Sequence, residues 1–121
     1  MATYQKKIGE IGEGLAADYL ESKGYCILDR NFSSRFGEID LVADCEDCLV
    51  FVEVKTRTTD TFGMPEDSIT KSKLMKIESA GLMWLQTHPG VTEDWRVDVI
   101  SIILDSKGDL KDLQHFVQAN L

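Results

Sequence analysis

The sequence predicts an α/β fold in which a mixed β-sheet is flanked by helices, in the order helix, strand, strand, strand, helix, strand and a short terminal element. Three observations carry this. Apolar residues recur every three and four positions from about Gln5 to Ser22 and again from about Ser68 to Thr87, the period of a helix with one buried face. Runs rich in Val, Ile, Leu and Phe, bounded by Gly, Asn and Asp, occupy 25–30, 38–43, 49–57 and 95–104, as expected of strands. Helical and strand patterns alternate along a chain of 121 residues, which predicts one domain over 1–121, large enough to bury a core without disulfides or metal staples.

In the first helix, Ile8, Ile11, Leu15 and Tyr19 form the expected apolar stripe, and Gly24 ends it. Glu13 lies off that stripe, on a face with Gly9, Ala17 and Leu20, between Gly12 and Gly14. A glycine inside a helix costs roughly 0.5 to 1 kcal/mol relative to alanine, so the cluster points to close approach of another backbone or a ligand. On residue type alone, a solvated glutamate is the commoner reading of Glu13. Tyr25 to Arg30 reads as a short strand and Asn31 to Phe36 as a polar loop with Arg35 near its end.

The stretch Gly37 to Arg57 holds two strand-like runs, Glu38 to Ala43 and Leu49 to Arg57, joined by the hairpin-length connector Asp44, Cys45, Glu46, Asp47 and Cys48. Asp40 is followed after twelve residues by Glu53 and, one residue further, by Lys55. If the hairpin is symmetric about Glu46 and Asp47, Asp40 stands across from Glu53, and the period of two puts Glu38, Asp40, Glu53 and Lys55 on one face. The other face carries Ile39, Leu41, Ala43, Val50, Val52 and Val54. Leu49 and Phe51 share the acidic face, so only its far end is expected to open to solvent. Like charges directly opposite cost roughly 0.2 to 1 kcal/mol, which is relieved by a drawn-in cation or by protonation of one group. Magnesium takes one or two protein carboxylates and fills its shell with water and phosphate oxygens, so the pattern suits phosphodiester hydrolysis, with Lys55 orienting water or stabilising charge.

Beyond the hairpin, Thr58 to Asp67 reads as a polar loop with Gly63 and Pro65. The second helix presents Leu74, Ile77, Gly81 and Trp84 as its buried stripe and stops at Pro89, with Lys71, Lys73 and Lys76 crowding its first half. Trp95 to Leu104 is a core strand in which Arg96 and Asp98 share one parity, free to pair with each other or to support the site. Asp105 to Asp109 is a turn. Leu110 to Val117 fits a strand or a short helix, and His115 within it is read as structural.

The words GEGLAADYL (12–20), GY (24–25), RN (30–31), GEIDLVA (37–43), LVFVEVKTR (49–57), Phe62-Gly63 with Pro65, and RVDVISI (96–102) together resemble the YraN family of small bacterial proteins regarded as endonucleases. The resemblance covers nearly the whole chain in order. Asp-x12-Glu-x-Lys is similar to the signature of the restriction-endonuclease-like nucleases, the PD-(D/E)xK superfamily, although the proline before the aspartate is absent. The resemblance implies a restriction-endonuclease-like fold and a magnesium- or manganese-dependent DNA endonuclease. Likeness to archaeal Holliday junction resolvases extends this to branched or damaged DNA and to a homodimer. In resolvase-like members a glutamate on the first helix completes the metal site, and Glu13 is the matching position beside Asp40 and Glu53.

Charge argues the other way. A net charge of −8 is unlike that of a bulk nucleic-acid binder, which neutralises phosphates with Lys and Arg. The cations gather mid-chain, so a local rim of Arg35, Arg57, Lys71, Lys73 and Lys76 is expected to bind DNA weakly and in a salt-sensitive way. A non-catalytic adaptor that keeps the fold and binds nucleic acid or protein is the alternative. The chain shows neither a signal peptide nor an apolar run long enough to span a membrane, which predicts a cytoplasmic protein with no membrane partner. Three cysteines argue against a disulfide framework. Cys45 and Cys48 have knuckle spacing, but a structural zinc wants four ligands and no second pair exists. Their acidic neighbours also argue against a reactive thiol.

Overall fold

A computed structural model describes residues 3–46, 48–59, 69–91 and 94–119. Helix α1 (Tyr4–Ser22) begins where the Thr3 hydroxyl accepts the Lys6 amide at 3.1 Å, a side-chain N-cap. Strands β1 (Cys26–Ser34), β2 (Gly37–Cys45) and β3 (Cys48–Thr58) follow, then α2 (Lys71–Thr87), β4 (Trp95–Leu104) and β5 (Leu110–Phe116). The Thr70 hydroxyl caps α2 by accepting the Lys73 amide at 3.1 Å. The loop expected over Thr58 to Asp67 falls largely outside the described residues, as does Ser68 at the expected helix start. Among the described residues no helix is long and apolar enough to cross a membrane.

The five strands form one sheet in the order β1-β2-β3-β4-β5, antiparallel except for the parallel β3–β4 pair. The expected mixed sheet flanked by two helices is therefore present, consistent with a restriction-endonuclease-like α/β fold. The terminal element is a strand, since β5 pairs with β4 from Val99–Phe116 to Leu104–Leu110.

The helices cover opposite faces. Val50, Val52 and Val54 pack with Ala16, Ala17 and Leu20 of α1, while Leu49 and Phe51 pack with Ile77, Ala80 and Trp84 of α2. Alternation along β3 thus feeds two cores, which is why LVFVEV is almost continuously apolar. Gly81 lets α2 come this close, because a Cβ there would run into the Phe51 ring.

Three expectations are corrected. The buried face of α1 is Gly12, Ala16, Ala17 and Leu20, with Ile8, Leu15 and Tyr19 only partly buried and Ile11 exposed. The small residues face the sheet because the helix sits close to it: a Cβ on Gly12 would collide with the Thr56 side chain of β3. Of the glycine cluster, Gly12 alone marks a close approach, and to a side chain rather than to the expected backbone or ligand, since a Cβ on Gly9 or Gly14 would meet nothing within 4 Å. The first strand does not end at Arg30. It continues to Ser34, and Arg35-Phe36 is the two-residue turn into Gly37, where the Ser34 hydroxyl accepts the Phe36 amide at 3.1 Å and donates to the Gly37 carbonyl at 3.0 Å. Polar side chains are tolerated because β1 is an edge strand. Finally, Ile39 packs beside Val42 on the α2 side while Leu41 packs on the α1 side, so β2 turns over near Asp40 and does not hold a strict period of two.

Candidate active site

The turn-over in β2 builds the site. The β2–β3 ladder runs from Cys45–Cys48 to Leu41–Val52, and its next step brings Asp40 level with Glu53, as the symmetric hairpin requires. There Asp40 inserts its side chain towards β3, and Oδ2 accepts the Val54 amide at 2.8 Å. On the other flank, β1 pairs at Arg30–Leu41 and Phe32–Ile39, and Asn31 between them has a left-handed φ of 53°. Distortion on both sides of Asp40 opens a fork in the sheet, and asparagine is among the residues that tolerate such a backbone.

Asp40 and Glu53 line a pocket of about 260 Å³ together with Gly37, Glu38, Lys73 and Lys76. Gly37 (φ 153°) lets β2 press against α2, since a Cβ there would sit 3.3 Å from that of Lys76. Glu53 is 6 % exposed, and Lys73 Nζ reaches its Oε2 at 3.1 Å. Burial and then the Glu53 charge push the Asp40 carboxyl up to about 7; the Val54 amide and Lys73 pull the other way with less effect. Glu13 approaches Asp40 from α1. Burial and the Asp40 charge raise it above its ordinary value, against a hydrogen bond from the Asn31 side chain. The fork thus joins three carboxyls in a row, Glu13 beside Asp40 and Asp40 beside Glu53.

Lys55 follows Glu53 by two positions on β3, half-buried and level with Ser101 of β4, and does not line the pocket. Of the expected DNA rim, Lys71 and Arg35 line a second groove that shares Lys76 with the carboxylate pocket. Arg57 lies near the end of β3. Lys73, half exposed, is the counterion of Glu53.

Among the described residues, no group of three or more His, Cys, Asp and Glu side chains stands arranged to hold a metal ion. The donor set of the pocket is nonetheless hard oxygen, the adjacent carboxyls of Asp40 and Glu53 with that of Glu38, against the ammoniums of Lys73 and Lys76, and this suits magnesium or manganese better than a softer ion.

A second buried carboxylate lies on the α1 face. Asp98, 0 % exposed, accepts from Arg96 Nε at 2.9 Å and Nη2 at 3.3 Å and from the Gln118 amide at 3.0 Å, and His115 Nε2 lies 2.8 Å from its Oδ2. Tyr25 accepts from Arg96 at 2.9 Å, and the Tyr19 hydroxyl lies 3.1 Å from His115 Nδ1. Of the two roles open to Arg96 and Asp98, pairing with each other is the one seen. The same guanidinium lies 3.6 Å from Cys48 Sγ, so that thiol has a cationic neighbour besides the acidic residues adjacent in sequence. Sequence reasoning missed Asn31 as a partner of Glu13, Lys73 as a partner of Glu53, and Phe36 beside the basic residues. Only Phe36 had a signal, an aromatic next to Arg35 at a turn.

The model of an uncharacterised protein family, UPF0102, matches residues 12–102, the YraN-like group the sequence words resemble. A UPF0102 protein of Syntrophomonas wolfei is 42 % identical over 114 residues, covering 94 % of this chain and 97 % of the relative. One from Pelotomaculum thermopropionicum is 41 % identical over 119 residues, covering 98 % and 99 %. Another, from Alkaliphilus oremlandii, is 46 % identical over 104 residues, covering 84 % and 89 %.

Proposed function

We propose, for a chain that belongs to the uncharacterised protein family UPF0102, a magnesium- or manganese-dependent endonuclease acting on DNA. The observation that carries this is the Asp40–Glu53 pair at the fork, two carboxyls held side by side in one pocket, where burial and then the Glu53 charge raise Asp40. Asp40 and Glu53 are the residues that would hold the cation, with Glu13 behind Asp40 as a further oxygen donor. When bound, such an ion lowers the pKa of a coordinated water and offsets charge on the phosphoryl group. Lys73 holds the place of a cation beside Glu53 and must leave it, or share it, when a metal enters. Lys55, two positions on along the same strand and outside the lining of the pocket, is the residue that would orient water or stabilise developing charge. Branched or damaged DNA as substrate, and a homodimer with two-fold symmetry, belong to the same proposal through the likeness to junction resolvases.

The net charge of −8 favours a second reading, a non-catalytic adaptor on the same fold. Cleavage assays on duplex, junction, flap and single-stranded DNA with magnesium or manganese decide between them. Wild type is expected to cut at least one of these, and Glu53→Ala and Lys55→Ala to lose cleavage while keeping the wild-type circular dichroism. Equal cleavage by wild type and Glu53→Ala would remove the nuclease from consideration at this site.

A further inference from the structure

We infer that the groove beside the carboxylate pocket binds an unpaired stretch of DNA strand, with Phe36 as its stacking platform. The groove encloses about 580 Å³ and is lined by Arg35, Phe36, Lys71, Met75 and Lys76, its other two lining residues being serines. Among the described residues, three cations and no carboxylate line this groove, and on a protein of net charge −8 they form a local site for an anion. The apolar part fixes which anion. Phe36 is 41 % exposed and Met75 57 % exposed, and the Arg35 guanidinium stands 5.0 Å from the Phe36 ring centroid. Free phosphate has no use for an exposed ring and thioether. Paired bases are stacked inside a duplex and cannot reach a side chain at a hairpin turn. A single strand offers both parts, phosphates for Arg35, Lys71 and Lys76 and bare base faces for Phe36.

Position adds direction. Lys76 lines both this groove and the pocket of Asp40 and Glu53, so a strand lying in the groove leads its next phosphates to the carboxyls. The substrate this implies, a duplex interrupted by unpaired nucleotides such as a flap, gap or open junction, rests on the nuclease reading. The groove's binding of single strands does not.

The test measures anisotropy of a fluorescein-labelled oligo(dT) of about ten nucleotides, within the span one such site covers, in chelator so that no cleavage occurs. Oligo(dT) is expected to bind more tightly than a duplex of equal length. Phe36→Ala should weaken it between about 5-fold and 150-fold, the range of one lost base stack, while Phe36→Trp retains binding. Arg35→Ala and Lys71→Ala should each lower the slope of log affinity against log salt by about 0.7, the value for one phosphate contact on a single strand. Unchanged affinity in Phe36→Ala, tighter binding of the duplex, or displacement of oligo(dT) by a polyglutamate peptide of equal charge would each overturn the assignment. A protein that binds in this manner but cuts nothing in magnesium would lose the nuclease and keep the groove. One that cuts duplex DNA with no response to Phe36→Ala would do the reverse.

Discussion

The protein buries two acidic centres on opposite faces of one sheet and treats them differently. Asp98, on the α1 face, is fully enclosed yet meets the Arg96 guanidinium, the His115 ring and the Gln118 amide within 3.3 Å. Burial pulls the Arg96 pKa down, and the hydrogen bonds and charge of Asp98 overcome this and lift it above its ordinary value. Asp40, on the α2 face, is held by the Val54 amide and confronted by Glu53, and it rises to about 7. A buried charge with every partner supplied is tolerated by the fold and costly to break. One left beside its own kind carries an unrelieved repulsion, and that contrast separates the structural acid from the candidate functional one.

The largest test of the contrast removes the satisfied acid. Asp98→Ala strands a largely buried Arg96 and should destabilise the protein by about 3 to 5 kcal/mol in urea denaturation, as losing one partner of a buried pair does. A loss below about 1 kcal/mol would place Asp98 in the same class as Asp40.

Asp40→Asn should act with the opposite sign. Because the folded-state pKa of Asp40 is raised from 3.8 to about 7, the folded protein binds more protons than the unfolded chain in that window, and stability falls as pH rises through it. Asparagine can still accept the Val54 amide and can donate to Glu53. The variant should match wild type near pH 4 and exceed it above pH 7, by on the order of 1 kcal/mol or roughly 2 to 6 °C in melting temperature. Magnesium or manganese should raise the wild-type melting temperature at pH 8 and move the variant little. If Asp40→Asn instead melts lower at pH 8 and the wild type ignores both ions, the pair is a structural acceptor.

Lys73→Met gives the smallest effect and sharpens the comparison most. The lysine is half exposed, so its ion pair contributes no more than about 0.5 kcal/mol, and melting should barely change. Metal affinity, read by calorimetry, should increase because a competing cation is gone. A weaker metal response would make Lys73 part of the binding site.

The contrast also marks where the sequence was legible. Asp40 and Glu53 lie on one hairpin, so connector length and the period of two were enough to oppose them, and the strand and helix order followed from patterns that are local. What escaped depends on tertiary contact. Hydropathy selected Ile8 and Ile11 for the buried face of α1, whereas the close seat on Thr56 admits only Gly12 and the alanines. The turn-over near Asp40 lies beside the left-handed Asn31 of a neighbouring strand, and no periodicity announces it. Lys73, His115 and Gln118 meet their acids from elements far along the chain.

The parallel pairing of β3 with β4 has a consequence for the order of assembly. The β2–β3 hairpin closes a short loop, while β4 reaches β3 only after the whole crossover through α2 has been laid down, and non-local pairings of this kind form late. Both carboxyls of the fork ride on the early hairpin, and their lysine arrives with the late helix. Repulsion between Asp40 and Glu53 therefore falls on the folding transition state. Relief of about 1 kcal/mol by Asp40→Asn should speed folding by up to roughly fivefold with little change in unfolding, whereas Lys73→Met should leave folding alone and slightly speed unfolding. Stopped-flow chevrons measure both limbs, and the inverse pattern would mean that the crossover docks before the hairpin forms. In the expected order the chain builds the Asp40–Glu53 contact before Lys73 is present to offset it.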